Sequence, residues 1–182
     1  ALQDGTTNTV KDTSNHTDTN IEGAIHVEAD LTITGNGSLT VEGNFQDGIV
    51  STDDLVIDAG NITVTAVDDG IRGKDSLTIN GGTINVTAGG DGIKSTNDTD
   101  TTKDYTTITG GEITVKAGDD GIKAETALTI DGGTITVSES SEAFEGTNIT
   151  INGGTLDVYG SDDAINAAST TSSDIFIKVT GG

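Results

Sequence analysis

The stretch IRGKDSLTINGGTINVTAGGDGIKS, residues 71 to 95, contains one full repeat of this 182-residue chain. It runs from Ile71 to Ile93, and an Asp-Gly pair precedes each of these isoleucines. Between them lie LTI (77–79) and INV (84–86), in which apolar and polar residues alternate. Such alternation predicts short β-strands with one buried face, and the intervening Asn, Asp and Gly residues predict tight turns.

The repeat continues on both sides of this stretch. The residues that correspond to Ile71 and Ile93 are Ile25, Ile49, Ile122, Phe144 and Ile165. Each repeat of about 22 residues holds two alternating segments and a shorter strand at the corner isoleucine. We therefore predict an all-β, right-handed parallel β-helix, or β-solenoid, of about six turns with three short strands each. In one repeat, the side chains expected to point inward are those of Ile71, Leu77, Ile79, Ile84, Val86 and Ala88.

The composition favours a coil over a compact globule and excludes several functions. The chain has 30 Asp and Glu against 8 Lys and Arg, a net charge of -22, and only 2 Tyr and 3 Phe as aromatic residues. This charge would repel nucleic acid. The absence of Cys leaves no disulfide and no thiolate metal site. No stretch approaches the ~18 consecutive apolar residues of a membrane span.

The repeats predict a single β-helix domain over residues 1–182. Residues 1–20 are expected to form a partial first turn and a loop. TNDTDTTKDY (96–105) lengthens one turn and is expected to be a protruding polar loop. Neither end shows a cap, so we expect the coil to continue in further sequence, to stack end to end, or to be covered.

Acidic residues recur at the corners in two columns that we expect to face outward. The first contains Asp47, Asp69, Asp91, Asp120, Glu142 and Asp163, and the second contains Asp68, Asp119 and Asp162. Neighbouring carboxylates would lie about 4.8 Å apart and repel by roughly 1 kcal/mol in water and ~3 to 4 kcal/mol at an effective dielectric of 20. Either Ca²⁺, which binds six to eight oxygens, compensates this repulsion, or the Asp-Gly pairs are turn residues with solvated charges.

The candidate Ca²⁺ ligands follow from these columns and from the loop. They are Asp68, Asp69, Asp91, Asp119, Asp120, Asp162 and Asp163 at the corners, and Asp98 and Asp100 in the loop. Asn97 and Asp104 flank the loop pair, which lacks the spacing of an EF-hand.

Arg72, Lys94 and Lys123 directly follow corner isoleucines and form a basic column. They either neutralise the adjacent acidic column or bind an anionic polymer such as a uronate chain, with metal bridging carboxylates. These three residues are therefore the candidate carbohydrate-binding residues. Outward Thr columns on the other faces are ordinary for exposed strands; the alternative is binding to ice or a crystalline polysaccharide.

The runs DDLVIDAGNITVTAVDDGIRGKDSLTINGGTINVTAGGDGIKSTNDTD (53–100) and GDDGIKAETALTIDGGTITV (118–137) resemble bacterial carbohydrate-binding domain-containing proteins, which are secreted right-handed parallel β-helices similar to polysaccharide lyases. The resemblance implies Ca²⁺-dependent folding and non-catalytic binding of plant cell-wall polysaccharide, cellulose or pectin-like, outside the bacterium or on its surface. It assigns metal binding to the seven corner aspartates named above. SESSEAF (138–144) and SDDAI (161–165) depart from the pattern.

Four functions remain open at this point, of which an ice binder ranks last because Val56, Asn85 and Asp157 interrupt the Thr columns. The first is an extracellular Ca²⁺-binding and polysaccharide-binding module or adhesin. The second is a structural subunit of a filament or surface matrix built by end-to-end stacking. The third is a polysaccharide lyase, for which Arg72 with Lys74 is the local candidate base. Tyr105 and Tyr159 do not share a repeat position, so no aromatic platform for sugar stacking is predicted.

Overall fold

The computed structural model describes residues 1–97, 99–100 and 102–182. Within these ranges the secondary structure consists of strands, and no helix is long and apolar enough to cross a membrane. Asp98, one of the candidate loop ligands, lies outside the described residues.

The chain winds through three strand positions in each turn. Strands in the first position are β2 (Gly23–Val27), β5 (Asp47–Ser51), β8 (Ile71–Gly73), β11 (Ile93–Ser95) and β18 (Ile165–Ala167). Strands in the second are β3 (Leu31–Ile33), β6 (Asp54–Ile57), β9 (Ser76–Ile79), β12 (Tyr105–Ile108) and β19 (Phe176–Val179). Strands in the third are β1 (Thr7–Lys11), β4 (Ser38–Gly43), β7 (Asn61–Ala66), β10 (Thr83–Ala88), β13 (Glu112–Lys116), β15 (Thr134–Glu139) and β17 (Thr155–Val158).

Two longer strands, β14 (Ile122–Ile130) and β16 (Phe144–Ile151), occupy the first and second positions of their turns without a break. β14 pairs with both β11 and β12, and thereby joins the two positions into one 12-stranded sheet. The third position forms a separate 7-stranded sheet.

Every strand pair is parallel, and the register is that of the sequence repeat. Ile71 pairs with Ile49 on one side and with Ile93 on the other. Ile93 pairs with Ile122, so the longer turn keeps its register. The predicted β-solenoid of about six turns is therefore confirmed.

The core is a narrow column of aliphatic side chains inside the coil. The six side chains predicted to point inward in the repeat from residue 71 to 88 are all buried. Phe144 replaces isoleucine in its turn and is 0% exposed. Burial of each Ile, Leu, Val or Phe side chain stabilises the folded state by roughly 1.5 to 3 kcal/mol, so a core with few aromatic residues is still stable.

The Asp-Gly corners are tight because consecutive turns approach each other there. A Cβ on Gly92 would lie 2.6 Å from the carbonyl oxygen of Gly121 and 2.3 Å from Cγ1 of Val115. Gly70 has the same surroundings one turn earlier. The recurring glycine is therefore required by the distance between turns.

The long turn folds back onto the coil at both of its ends. Asn97 and Asp104 are buried, and Tyr105 begins β12. Asp104 has φ +66°, a left-handed conformation that Asp tolerates better than most residues. The exposed part of the expected protruding loop is therefore shorter than residues 96–105.

Candidate functional site

The residue that follows each corner isoleucine lies in one column along the outside of the first strand position. The register assigns to this column, in order, His26, Val50, Arg72, Lys94, Lys123, Glu145 and Asn166. The structure thus aligns the three candidate carbohydrate-binding residues as the repeat predicts, and it adds His26 two turns before Arg72.

The first acidic column differs from the prediction, because most of its members are buried rather than outward-facing. Asp47, Asp69, Asp91 and Asp120 are each at most 6% exposed. The Oδ1 atoms of the first three accept the backbone N–H of the next aspartate in the column, at 3.1, 2.9 and 2.9 Å. These carboxylates act as cross-ties between turns.

The basic column neutralises this buried acidic column. The Lys94 Nζ atom lies 2.5 Å from Asp69 Oδ2 and 2.9 Å from Asp91 Oδ2. The Lys123 Nζ atom lies 2.7 Å from Asp120 Oδ2 and 2.9 Å from Glu145 Oε1. Two carboxylates thus surround each ammonium group.

Arg72 has a different pair of partners. Its Nη2 atom lies 2.8 Å from Asp47 Oδ2, one turn back, and also contacts Oε2 of Glu22. The turn that contains Asp47 has Val50 in the basic column, so it supplies no cation of its own. Arg72 therefore neutralises the buried carboxylate of the preceding turn.

Burial sets the protonation of these groups. It raises the pKa of Asp47 to about 6, although Arg72 opposes the shift. Burial likewise raises the pKa of Asp120 to about 7 against the effect of Lys123. Burial lowers the pKa of Arg72, but Asp47 and then Glu22 outweigh it, and the pKa lies above its ordinary value.

A cluster of carboxylates lies where the two acidic columns meet. Asp91, Asp119 and Asp120 each offer one oxygen, and these atoms lie within 4.8 Å of one another. Asp120, Glu142 and Glu145 form a second cluster of the same kind. The Oδ1 atom of Asp120 is buried without a hydrogen-bond partner among the described residues.

The other candidate metal ligands are arranged differently. Asp68, Asp162 and Asp163 are exposed, and in the part of the chain that the structure describes they belong to no such cluster. Asp69 is engaged with Lys94 and the N–H of Asp91. Asp100 accepts hydrogen bonds from the backbone N–H and the hydroxyl of Thr102, at 3.0 and 2.6 Å.

A groove of about 660 Å³ lies at the beginning of the basic column. His26 and Arg72 line it, and each has one buried atom, Nδ1 and Nε respectively, without a hydrogen-bond partner within the described ranges. Its lining residues are Asn20, Glu22, His26, Glu28, Val50, Ser51, Thr52, Arg72, Lys74 and Thr96. We refer to this feature as the Arg72 groove.

Charges of both signs line the Arg72 groove. Lys74 and Glu28 are exposed, and neither forms an ion pair with another described residue. Sequence reasoning missed His26 and Glu22 as groove residues. The signal for His26 was present, because it follows Ile25 just as Arg72 follows Ile71. A signal for Glu22 was present too, because it lies three residues before Ile25, as Asp68 lies three residues before Ile71.

Comparisons with known proteins agree with this architecture. A family model for carbohydrate-binding domain-containing proteins matches residues 1–182. A 42-residue segment is 55% identical to a carbohydrate-binding domain-containing protein of Acetivibrio thermocellus, covering 23% of this chain and 15% of that protein.

A solved structure is similar over most of the chain. It is the polysaccharide lyase-like protein from C. thermocellum, determined as a gadolinium derivative, with a TM-score of 0.71 and 34% identity. The match covers 98% of this chain and 65% of that one, so the chain spans about two thirds of the solved relative's length. The chain belongs to the carbohydrate-binding domain-containing protein family.

Proposed function

We propose that this chain is a non-catalytic polysaccharide-binding module and that the Arg72 groove is its glycan site. The observation that carries the proposal is that His26 and Arg72, two side chains with N–H donors, line the same groove. Such donors favour a ligand that supplies oxygen atoms, above all a carboxylate. Lys74 adds an exposed cation beside them.

The lining favours an acidic, pectin-like glycan over cellulose. Neither Tyr105 nor Tyr159 lines the groove, so a sugar ring has no aromatic surface on which to stack there. Recognition would depend on hydrogen bonds and on the planar fork of Arg72, which suits a carboxylate. Lys94 and Lys123 extend the same column, but neither lines the Arg72 groove.

We propose a calcium site at Asp91, Asp119 and Asp120. The donor set suits Ca²⁺, because it consists of carboxylate oxygens within 4.8 Å of one another, and Asp120 Oδ1 lacks a partner among the described residues. The ion would share Asp91 with Lys94 and Asp120 with Lys123. Bound there, Ca²⁺ would add positive charge between two turns.

Several observations support a non-catalytic role. A lyase needs a base that accepts a proton, whereas Asp47 and Glu22 raise the pKa of Arg72 and hold it protonated. The family name also refers to binding. Cell-wall polymers are too large to enter a cell intact, so the proposed location is extracellular, at the bacterial surface.

The test is binding of trigalacturonate, measured by calorimetry. The Arg72→Gln variant is expected to lose most of the affinity, whereas Lys116→Gln is the matched control. Lys116 also forms an ion pair, with Glu139 at 2.6 Å, but it lies on the separate 7-stranded sheet. Equal affinity of wild type and Arg72→Gln would rule out the Arg72 groove, and formation of unsaturated products would rule out the non-catalytic role.

A second proposal is end-to-end association. The last turn exposes Ile175, Phe176, Ile177 and Val179, between 39% and 64% each. Contiguous exposed apolar side chains at the edge of a sheet favour pairing with a further strand, either from more of the same protein or from another chain. Sedimentation velocity would detect the association. A Phe176→Lys variant that sediments as the wild type does, at every protein concentration, would argue against it.

A further inference from the structure

Glu22 holds the position in the Arg72 groove that an acidic ligand needs. Its Oε2 atom contacts Nη2 of Arg72, and the side chain of Arg72 is 20% exposed. By contrast, the second carboxylate at Lys123 is Glu145, which belongs to the coil itself and extends from β16. Glu22 directly precedes β2 and reaches Arg72 from 50 residues away in sequence.

The segment that carries Glu22 is fixed at both ends. The ring of His16 stacks on Phe45 with centroids 4.3 Å apart. Its Nε2 atom lies 3.0 Å from Asp12 Oδ2, and its Nδ1 atom lies 2.9 Å from the carbonyl oxygen of Ile21. We call residues 12–22 the His16 strap.

The backbone of Glu22 is also anchored, because its carbonyl oxygen accepts the N–H of Asp47 at 3.0 Å. The side chain is less constrained, with 38% of its surface exposed. The carboxylate can therefore rotate away from Arg72 while the strap stays in place. Arg72 would keep Asp47 as a partner in either arrangement.

We infer that Glu22 is a built-in competitor for the Arg72 groove, which an acidic sugar must displace from Arg72 before it binds. This inference rests on the proposed glycan-binding function. An internal carboxylate reduces the apparent affinity by the fraction of molecules in which it occupies the site. An acidic ligand that displaces Glu22 replaces one Arg–carboxylate contact with another, so little binding energy is lost. A ligand without a carboxylate makes no such replacement, so Glu22 disfavours its binding.

The test compares three single variants for trigalacturonate affinity by calorimetry. Glu22→Gln removes the competing charge but keeps the side-chain shape, and is expected to bind about two- to fivefold more tightly than wild type. Glu28→Gln is the matched control, because Glu28 lines the same groove and has no ion pair among the described residues. Arg72→Gln reports on the site itself.

The outcomes separate the competitor from the binding function. A gain in Glu22→Gln that exceeds the gain in Glu28→Gln supports the competitor. Equal gains would reduce the effect to general charge repulsion, and a weaker Glu22→Gln would make Glu22 a ligand contact; either result overturns the inference while the glycan site stands. If wild type and Glu22→Gln both fail to bind, the proposed function falls, and the competitor falls with it. A thermal melt of Glu22→Gln checks that the fold is intact.

Discussion

The Oδ1 atom of Asp69 accepts the backbone N–H of Asp91, 22 residues later, at 2.9 Å. The same contact joins Asp47 to Asp69 and Asp91 to Asp120. Each aspartate thus replaces a main-chain partner at a corner where the chain turns and strand pairing is interrupted. The Asp-Gly pair of the repeat is therefore a structural unit in which aspartate ties turns together and glycine allows them to approach.

Asp69→Ala is expected to destabilise the fold by about 2 to 4 kcal/mol, because it leaves the Asp91 N–H without an acceptor and removes one of the two partners of Lys94. Asp69→Asn keeps an acceptor oxygen and should lose less. Asp68→Ala is the control, since Asp68 is the exposed neighbour and should change stability by no more than about 0.5 kcal/mol. Urea unfolding measures all three, and equal losses at Asp68 and Asp69 would contradict the cross-tie.

Asp104 is expected to make the protein more stable in mild acid. Burial raises its pKa from 3.8 to about 6, although hydrogen bonds from Ser95 and Glu125 oppose the shift. The folded protein therefore binds this proton more tightly than the unfolded chain, so the free energy of unfolding falls as the pH rises from about 4 through 6. Asp47, whose burial also raises its pKa to about 6, acts in the same direction.

Asp104→Asn should reduce this pH dependence. Asn tolerates the left-handed backbone and keeps the acceptor oxygen, but it carries no charge at neutral pH. Urea unfolding at pH 4.5 and 7.5 should show a smaller difference between the two conditions for the variant than for wild type. A difference of unchanged size would exclude Asp104 as a source of the pH dependence.

Calcium is expected to raise the melting temperature through Asp91, Asp119 and Asp120. An ion that binds only the folded state stabilises it by about 2.7 kcal/mol at one hundred times its dissociation constant. Thermal unfolding with Ca²⁺ and with a chelator measures the effect, which Asp119→Asn should abolish. Glu112→Gln is the control: it removes an exposed carboxylate from the separate 7-stranded sheet and should leave the stabilisation by Ca²⁺ unchanged. Identical melting temperatures with and without chelator would disprove the site.

Gly92→Ala is expected to be strongly destabilising although it adds one methyl group. The new Cβ would lie 2.6 Å from the carbonyl oxygen of Gly121, which no rotation of a side chain can relieve. Ala143 occupies the corresponding corner of a later turn, where the coil has adapted to it. Ala143→Gly, the reverse change, should cost only about 1 to 2 kcal/mol, from the lost buried methyl group and the added backbone freedom of glycine. Similar melting temperatures for the two variants would contradict this account.

The fold could be predicted from sequence because the same short pattern recurs and parallel pairing places its copies in register. The alignment of Arg72, Lys94 and Lys123 followed for the same reason. The burial of Asp47 and Asp69 could not be predicted, because Asp-Gly is also the composition of an exposed turn and the sequence does not show how closely the turns approach.

Two further features depend on contacts that the repeat does not encode. Glu22 lies at a corner two turns before Arg72, and the repeat does not show that its side chain reaches across these turns. Asp104 is buried at the end of a polar insertion, and its contact with Ser95 joins the end of β11 to the residue before β12, across that insertion. Local patterns fix strands and faces, whereas these contacts arise from the three-dimensional path of the chain.

Val50 interrupts the basic column, because it occupies the position that a cation occupies in the next three turns. Arg72 pairs with Asp47, one turn back, and Lys94 pairs with Asp69 one turn back as well as with Asp91 of its own turn. The charge balance of the turn that contains Val50 therefore depends on a cation from the next turn. A substitution at this uncharged position could therefore alter the chemistry of a neighbouring turn, so binding specificity in such a coil could evolve at residues that no ligand touches.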